Sequence, residues 1–353
     1  MKRKDILLAT VLTLGIGLTS CEGLDLSPKD KMTEPEYFKN ATELELFSNP
    51  FYDDILDKSP YDKQSDIMVL SILSEVMEGG NRRTVPASGK GWSWGVLRDI
   101  NTLLEYIDRC EDKEAVDHYT AVAKFFRAFF YYDKVVRFGD VPWYDKPLED
   151  GDEGLYKARD SRELVMTKII EDLDDAIKYL PAKKSVYRVN KWSALALKSR
   201  VTLFEGTFRK YHNINLPGHD YKYYLELAEQ SASEIIQKSP YKIYNTGHPE
   251  RDYLMLFATP DANKEEYLLA IKFDYALGIR NNTTAFTIQP SQGLPGITRK
   301  FVNTFLMKDG SRFTDQSGWE TMTFNEEVLN RDPRLAQSIR TPGYTRINTS
   351  EVR

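Results

Sequence analysis

This 353-residue chain has two cysteines, four histidines and, beyond its first twenty residues, no long apolar run. The histidines, His118, His212, His219 and His248, are scattered, and His212 and His219 flank the loop "NINLPG" rather than sharing a helix face. No metal-ligand spacing results, so no metal or other cofactor is expected. No Gly-x-Ser-x-Gly elbow, HExxH or P-loop occurs, which removes the hydrolases, zinc proteases and nucleotide-binding folds that carry those motifs. "GKGWSWG", Gly89 to Gly95, is rich in glycine but follows no predicted strand, so it is no dinucleotide turn. "DGDEG" starts at Asp150 like a calcium loop, yet its twelfth position is Ser161 rather than glutamate, and a solvated turn is expected there. An excess of basic charge is missing as well. Forty-eight Lys and Arg stand against 53 Asp and Glu, a net charge of −5, which argues against a nucleic-acid partner.

What is present begins at the amino terminus. Lys2, Arg3 and Lys4 precede an apolar core of 13 residues, Ile6 to Leu18. As a helix that core covers roughly 20 Å at 1.5 Å per residue. The hydrocarbon layer is about 30 Å thick, so the run suits an export signal better than an uncleaved anchor. Leu18-Thr19-Ser20-Cys21 resembles the bacterial lipobox, in which a peptidase cuts before the cysteine. That resemblance implies a lipid on Cys21, and several acyl chains hold a soluble protein on a bilayer where one does not. Removal of residues 1–20 leaves 45 basic and 52 acidic side chains, a balance of −7. Cys110 then remains as a half-buried structural thiol at the end of an apolar helical pattern.

From Val96 onward the apolar spacing is helical. Val96, Ile100, Leu103, Leu104 and Ile107 recur at helix period, and Val116, Tyr119, Ala123, Phe126, Phe130 and Val135 continue it after a polar break. Gly139 and Pro142 in "GDVP" end the second segment, and the two read as an antiparallel pair. A second pair joins Val165, Ile169, Leu173, Ile177 and Leu180 to Ala194, Leu197, Val201, Phe204 and Phe208. Asp160 and Glu163 read as its capping box, Pro181 as a stop, and "EDLDD" (171–175) as its wet face. A third amphipathic stretch carries Tyr224, Ala228, Ala232 and Ile235. The expected fold is mostly α, a TPR-like helical array of irregular period. After Ser239 the texture becomes long loops, with "YKIYN" and "YLLAIKF" as brief strands.

Aromatic residues make up 12% of the chain, and Phe125, Phe126, Phe129, Phe130, Tyr131 and Tyr132 are expected in the helical core. Those in loops are the candidates for ligand contact. Trp92 and Trp94 lie beside Asn81, Arg82 and Arg83; Tyr275 lies with Arg280, Asn281 and Asn282; Trp319 lies in "QSGWE". Flat rings stack on the apolar faces of sugars while Asn and Arg bond their hydroxyls. The other reading of each loop tryptophan is a hydrophobic plug that tethers its loop. A glycosidase with two carboxylates distant in the chain stays open as an alternative.

Several segments in order resemble the SusD/RagB family of surface lipoproteins. They are "RDINTLLEYID", "AVAKFFRAFFYYDKVVRFGDVPWYDKPL", "RVNKWSALALKSRVTLFEG", "YYLELAEQSASEIIQKSPYKIY", "FVNTFLMKDG" and "NRDPRLAQSIRTPG". The resemblance implies a SusD-like helical array, no catalytic residues, and a glycan-binding lipoprotein of the outer membrane facing the cell exterior. It further implies delivery of oligosaccharide or polysaccharide to a SusC-like TonB-dependent transporter, with capture of peptide or another nutrient by the same scaffold as the alternative. Glu22 and Asp25, just after Cys21, fit the acidic context associated in the family with export to the surface. The regions expected are a signal peptide over 1–20, a helical region over 21–240 and a loop-rich region over 241–353. The resemblance also implies a further helical pair beyond "RDPRL", where this chain runs only to Arg353.

Overall fold

The computed structural model describes residues 37–58, 65–70, 73, 77, 89, 91–149, 151–281, 283 and 295–344. Cys21, Asn81, Arg82, Arg83, Asn282 and the export signal lie outside the described residues. Six longer helices carry the fold: α1 (Ala41–Ile55), α2 (Gly95–Tyr106), α3 (Lys113–Phe138), α4 (Arg162–Tyr179), α5 (Lys191–His212) and α6 (Tyr221–Lys238). Four short helices follow: α7 (Asp252–Phe257), α8 (Arg299–Val302), α9 (Phe324–Glu327) and α10 (Pro333–Ser338). Among the described residues the strands are β1 (Met68–Val69) and β2 (Gly296–Ile297), paired antiparallel. The mostly helical, TPR-like array expected from the sequence is the fold observed.

Local chemistry sets the helix ends. The side chains of Asp112, Asn190 and Asp220 accept from the free N–H groups at the starts of α3, α5 and α6. Gly139 closes α3 with φ of 72°, a conformation costly for any residue with a Cβ. In "NRDPRL", Asp332 caps α10 and Pro333 enters its first turn. The buried Arg331 donates to the carbonyls of Val302 and Phe305, both at 2.8 Å, which ties α10 to the end of α8.

The core is built around α3. Phe125, Phe126, Ala123 and Tyr131 are buried against Ile100 and Leu103 of α2 and Val165, Ile169 and Leu173 of α4. Each fully buried large apolar side chain contributes about 1.5–3 kcal/mol relative to exposure. Phe129 and Tyr132 are half-buried at the edge of the same cluster, and Cys110 is buried with a free thiol.

The helices pair one step later than the sequence suggests. The most extensive interfaces join α3 to α4 and α5 to α6, ahead of α2 with α3 and α4 with α5. Polar pairs give the direction: Lys124 meets Asp175, Arg127 meets Asp172 at 2.7 Å, and Arg162 reaches the Val135 carbonyl at 3.5 Å. Partners fall along α4 as they rise along α3, so the pair is antiparallel. Gly206 allows a close approach of α5 and α6, because a Cβ there would sit 2.8 Å from Leu225.

Three further expectations are corrected. Ser161, not Asp160, caps α4, because Asp160 turns back to accept from the Trp143 N–H at 2.7 Å. Glu163 does not complete a capping box but pairs with Arg209 at 2.6 Å. Asp172 is not on a wet face. It is 4% exposed and takes a two-pronged contact from Arg127, so only the flanking carboxylates of "EDLDD" face outward. "YKIYN" and "YLLAIKF" are irregular, because their backbone bonds go singly to scattered partners: Lys242 N to Glu265 O and Ala270 N to Val186 O.

Candidate functional site

The segment after α3 is held from three sides. Val141 bridges Asp160 antiparallel, and Trp143 stacks on Tyr131 with ring centres 4.2 Å apart. The Tyr131 hydroxyl accepts from the Tyr144 N–H at 2.5 Å. From α2, Asn101 donates to the carbonyls of Tyr144 at 2.9 Å and Lys146 at 3.3 Å, and its own oxygen accepts from Arg127 at 3.3 Å. A helix-period sequence thus places one buried amide where it fixes an irregular loop.

This loop forms one wall of a cleft of about 520 Å³. Trp94, at the start of α2, packs edge-on against Tyr144 and Phe130, both at 5.6 Å. Trp92 stands edge-on to Trp94 at 5.1 Å and to Phe138 at 4.9 Å, and remains 38% exposed. Lys134 of α3 donates to the Gly91 carbonyl at 2.6 Å, which pins the tryptophan loop to the helix. Trp94 is thus a plug on the core, while Trp92 keeps part of its ring exposed.

Cationic groups complete the lining. Arg159 lies 4.9 Å over the Trp92 ring, and Lys157 lies 5.4 Å from the Tyr144 ring. Arg98 and Lys146 line the same cleft. Burial pushes the Tyr144 phenol above its ordinary range and the Lys134 ammonium below its own. Burial alone would raise Asp160, but its bonds from Lys157 and the Trp143 N–H outweigh this and hold it below the usual carboxylate range. No carboxylate lines the cleft among the described residues. Its chemistry is that of stacking faces and hydrogen-bond donors.

The other sequence-predicted residues do not join this site. Tyr275 sits 77% exposed in a tight turn closed by paired backbone bonds between Asp274 and Ile279, with the Arg280 guanidinium 3.9 Å over its ring. Trp319 is half-buried against Phe313 at 6.1 Å, and its carbonyl accepts from Arg299 at 3.2 Å. A larger cavity of about 760 Å³ lies between Phe125 and Phe129 of α3 and the segment around Leu256, Tyr267 and Ile271, and none of the predicted ligand residues lines it. Sequence reasoning missed Tyr144, Lys146, Lys157 and Arg159 as lining residues. For Tyr144 and Lys146 the available signal was a stretch dense in Trp, Tyr and Pro, "VPWYDKP", two residues after the helix-ending Gly139; Lys157 and Arg159 carried none.

Two family models match the chain in order. One, described as "starch-binding associating with outer membrane", covers residues 92–203, and one described as "SusD family" covers residues 272–352. SusD-like protein P2 of Formosa agariphila is 26% identical over 219 residues, 57% of this chain and 43% of that protein. A SusD-like protein of Bacteroides fragilis aligns with a TM-score of 0.65 at 22% identity, over 88% of this chain and 62% of its own. A second B. fragilis structure, described as a SusD-like carbohydrate-binding protein, aligns at 0.64 and 17% identity, over 85% and 59%. The chain thus spans about two-fifths to three-fifths of the length of these relatives. No helix among the described residues is long and apolar enough to cross a membrane.

Proposed function

We propose a glycan-binding role on one premise: this chain belongs to the SusD/RagB family. The observation that carries the reading is the lining of the cleft, with the rings of Trp92, Trp94 and Tyr144 beside donors from Arg98, Lys146, Lys157 and Arg159 and no carboxylate among the described residues. Rings stack on the apolar faces of sugars, and the donors bond hydroxyls. Glycoside hydrolysis needs two carboxylates about 5–10 Å apart, so a lining of rings and donors among the described residues supports a reading of capture without cleavage. The carbohydrate binding ascribed to the B. fragilis protein of like fold supports the reading.

Trp92 and Trp94 are the members of the sequence-predicted set assigned to this cleft. The protein is read as anchored through a lipid on Cys21 in the outer membrane, facing the exterior and passing oligosaccharide to a SusC-like TonB-dependent transporter. The basic start, the apolar core and Leu18–Cys21 support the anchor, and the description "associating with outer membrane" supports the location. Calorimetry against a panel of polysaccharides and peptides tests the ligand class. Trp92→Ala is expected to weaken glycan binding about tenfold, equivalent to about 1.4 kcal/mol. Unchanged affinity would remove the cleft as the site. Cys21→Ala is expected to leave the membrane fraction, and a variant that stays there would mean an uncleaved anchor.

A further inference from the structure

We infer that the cleft selects acidic saccharides, those bearing carboxylate or sulfate groups, an inference that rests on the glycan-binding reading above. Arg98, Lys146, Lys157 and Arg159 line the cleft, with no Asp or Glu among the described lining residues. They do so in a chain whose net charge is −5, so the local sign runs against that of the whole protein.

Two of the four already have partners: Arg98 pairs with Glu149 at 3.0 Å, and Lys157 with Asp160 at 2.7 Å. Arg159 and Lys146 pair with no carboxylate among the described residues. Arg159 is nonetheless held in place. One of its terminal nitrogens donates to the carbonyls of Asp140 at 3.3 Å and Phe138 at 3.5 Å, and its plane lies over Trp92. Its remaining N–H groups form no bond to the described protein. A guanidinium fork matches a carboxylate or sulfate in two-pronged geometry, and a preformed one loses little conformational freedom on binding.

Lys146 is exposed, but its backbone is fixed at the wall of the cleft by the Asn101 bond to its carbonyl. Neutral sugars need only hydroxyl readers. Two cations without carboxylates beside the part-exposed Trp92 instead complement a sugar that packs against Trp92 and carries its acid group toward Arg159.

Titration calorimetry on the full chain tests this with matched ligands. The acidic set is oligogalacturonate, alginate and chondroitin sulfate oligosaccharides. The neutral set is their carboxyl-reduced or desulfated forms together with starch and xyloglucan oligosaccharides. Sodium sulfate is the bare-anion control. At least one acidic member is expected to bind about tenfold or more tighter than its neutral partner at low salt, with the gap narrowing as salt screens the charges. Arg159→Gln combined with Lys146→Gln is expected to abolish the gap, with affinity falling about tenfold further for the acidic member than for its neutral partner, since one exposed pair contributes up to about fivefold. Both side chains are exposed, and an unchanged melting temperature checks that the fold is intact. Neutral ligands bound as tightly as acidic ones would overturn the inference and leave the glycan reading standing. A gap that survives the double variant, or full competition by sulfate alone, would also overturn it. Binding of neither set would overturn the glycan reading itself.

Discussion

Replacing Asn101 by leucine tests whether a buried amide on α2 shapes the cleft. Asn101 is 1% exposed, and a leucine, branched at the same carbon though larger, removes three hydrogen bonds. The carbonyls lose unequally. That of Tyr144 keeps a bond from the Tyr131 hydroxyl at 3.3 Å, and Lys146 lies at the surface, where water can take over. The sharper loss falls on Arg127, a buried cation that keeps Asp172 at 2.7 and 2.8 Å but loses the acceptor for its third nitrogen. An orphaned buried donor costs about 1–3 kcal/mol and an ordinary lost bond about 1 kcal/mol, so the variant is expected to be about 2–4 kcal/mol less stable. Denaturant unfolding followed by tryptophan fluorescence measures this as a shift of the midpoint at constant slope. A loss below about 0.5 kcal/mol, the usual range for surface changes, would refute the energetic reasoning. Because the same bonds set the Tyr144 wall, glycan affinity should fall too. Lower stability with unchanged affinity would mean that the loop keeps its shape without the amide.

Gly206→Ala is expected to destabilise by about 1–3 kcal/mol, since the added methyl meets Leu225 at 2.8 Å and the Tyr221 carbonyl at 3.0 Å across the α5–α6 contact. A melting temperature equal to or above that of the parent would show that α5 and α6 part easily. Stability should also fall in acid through Glu163. Burial alone would raise its carboxyl, but the His219 N–H, Arg209 and the His219 ring hold it below the ordinary value. The folded form thus takes up its proton less readily than the unfolded chain. Its contribution is complete above about pH 4.5 and is lost as the pH falls through the folded value. Glu163→Gln should flatten the stability curve in that acid range, and a parallel curve would exclude Glu163 as its source.

Much of the helical framework was legible because helix formation here is a local matter. The apolar period of α2 through α6 marks the buried faces, and Gly139 with Pro142 marks the end of α3. The same locality explains the errors. Asp160 reads as a cap because caps are counted along the chain, yet the Trp143 N–H, 17 positions away, offers it a better partner. Asp172 reads as wet because carboxylates usually are, yet Arg127 lies directly across the α3–α4 interface. Of the candidate ligand residues, Trp92 and Trp94 meet in one cleft because two positions of backbone separate them. Tyr275 and Trp319 do not join them, because each is committed to its own turn.

The sequence by itself determined the helical class, the family and the aromatic loop before α2, since periodicity, motif order and composition all survive in one dimension. Only the tertiary structure decided that Tyr144, Lys146, Lys157 and Arg159 close around Trp92, and that their charges stand without carboxylates in the lining. Those residues belong to an irregular segment whose position is set by Asn101, Tyr131 and Asp160, three side chains from three different parts of the chain. Irregular backbone has no period to read, so its course is fixed only by the distant groups that satisfy its hydrogen bonds.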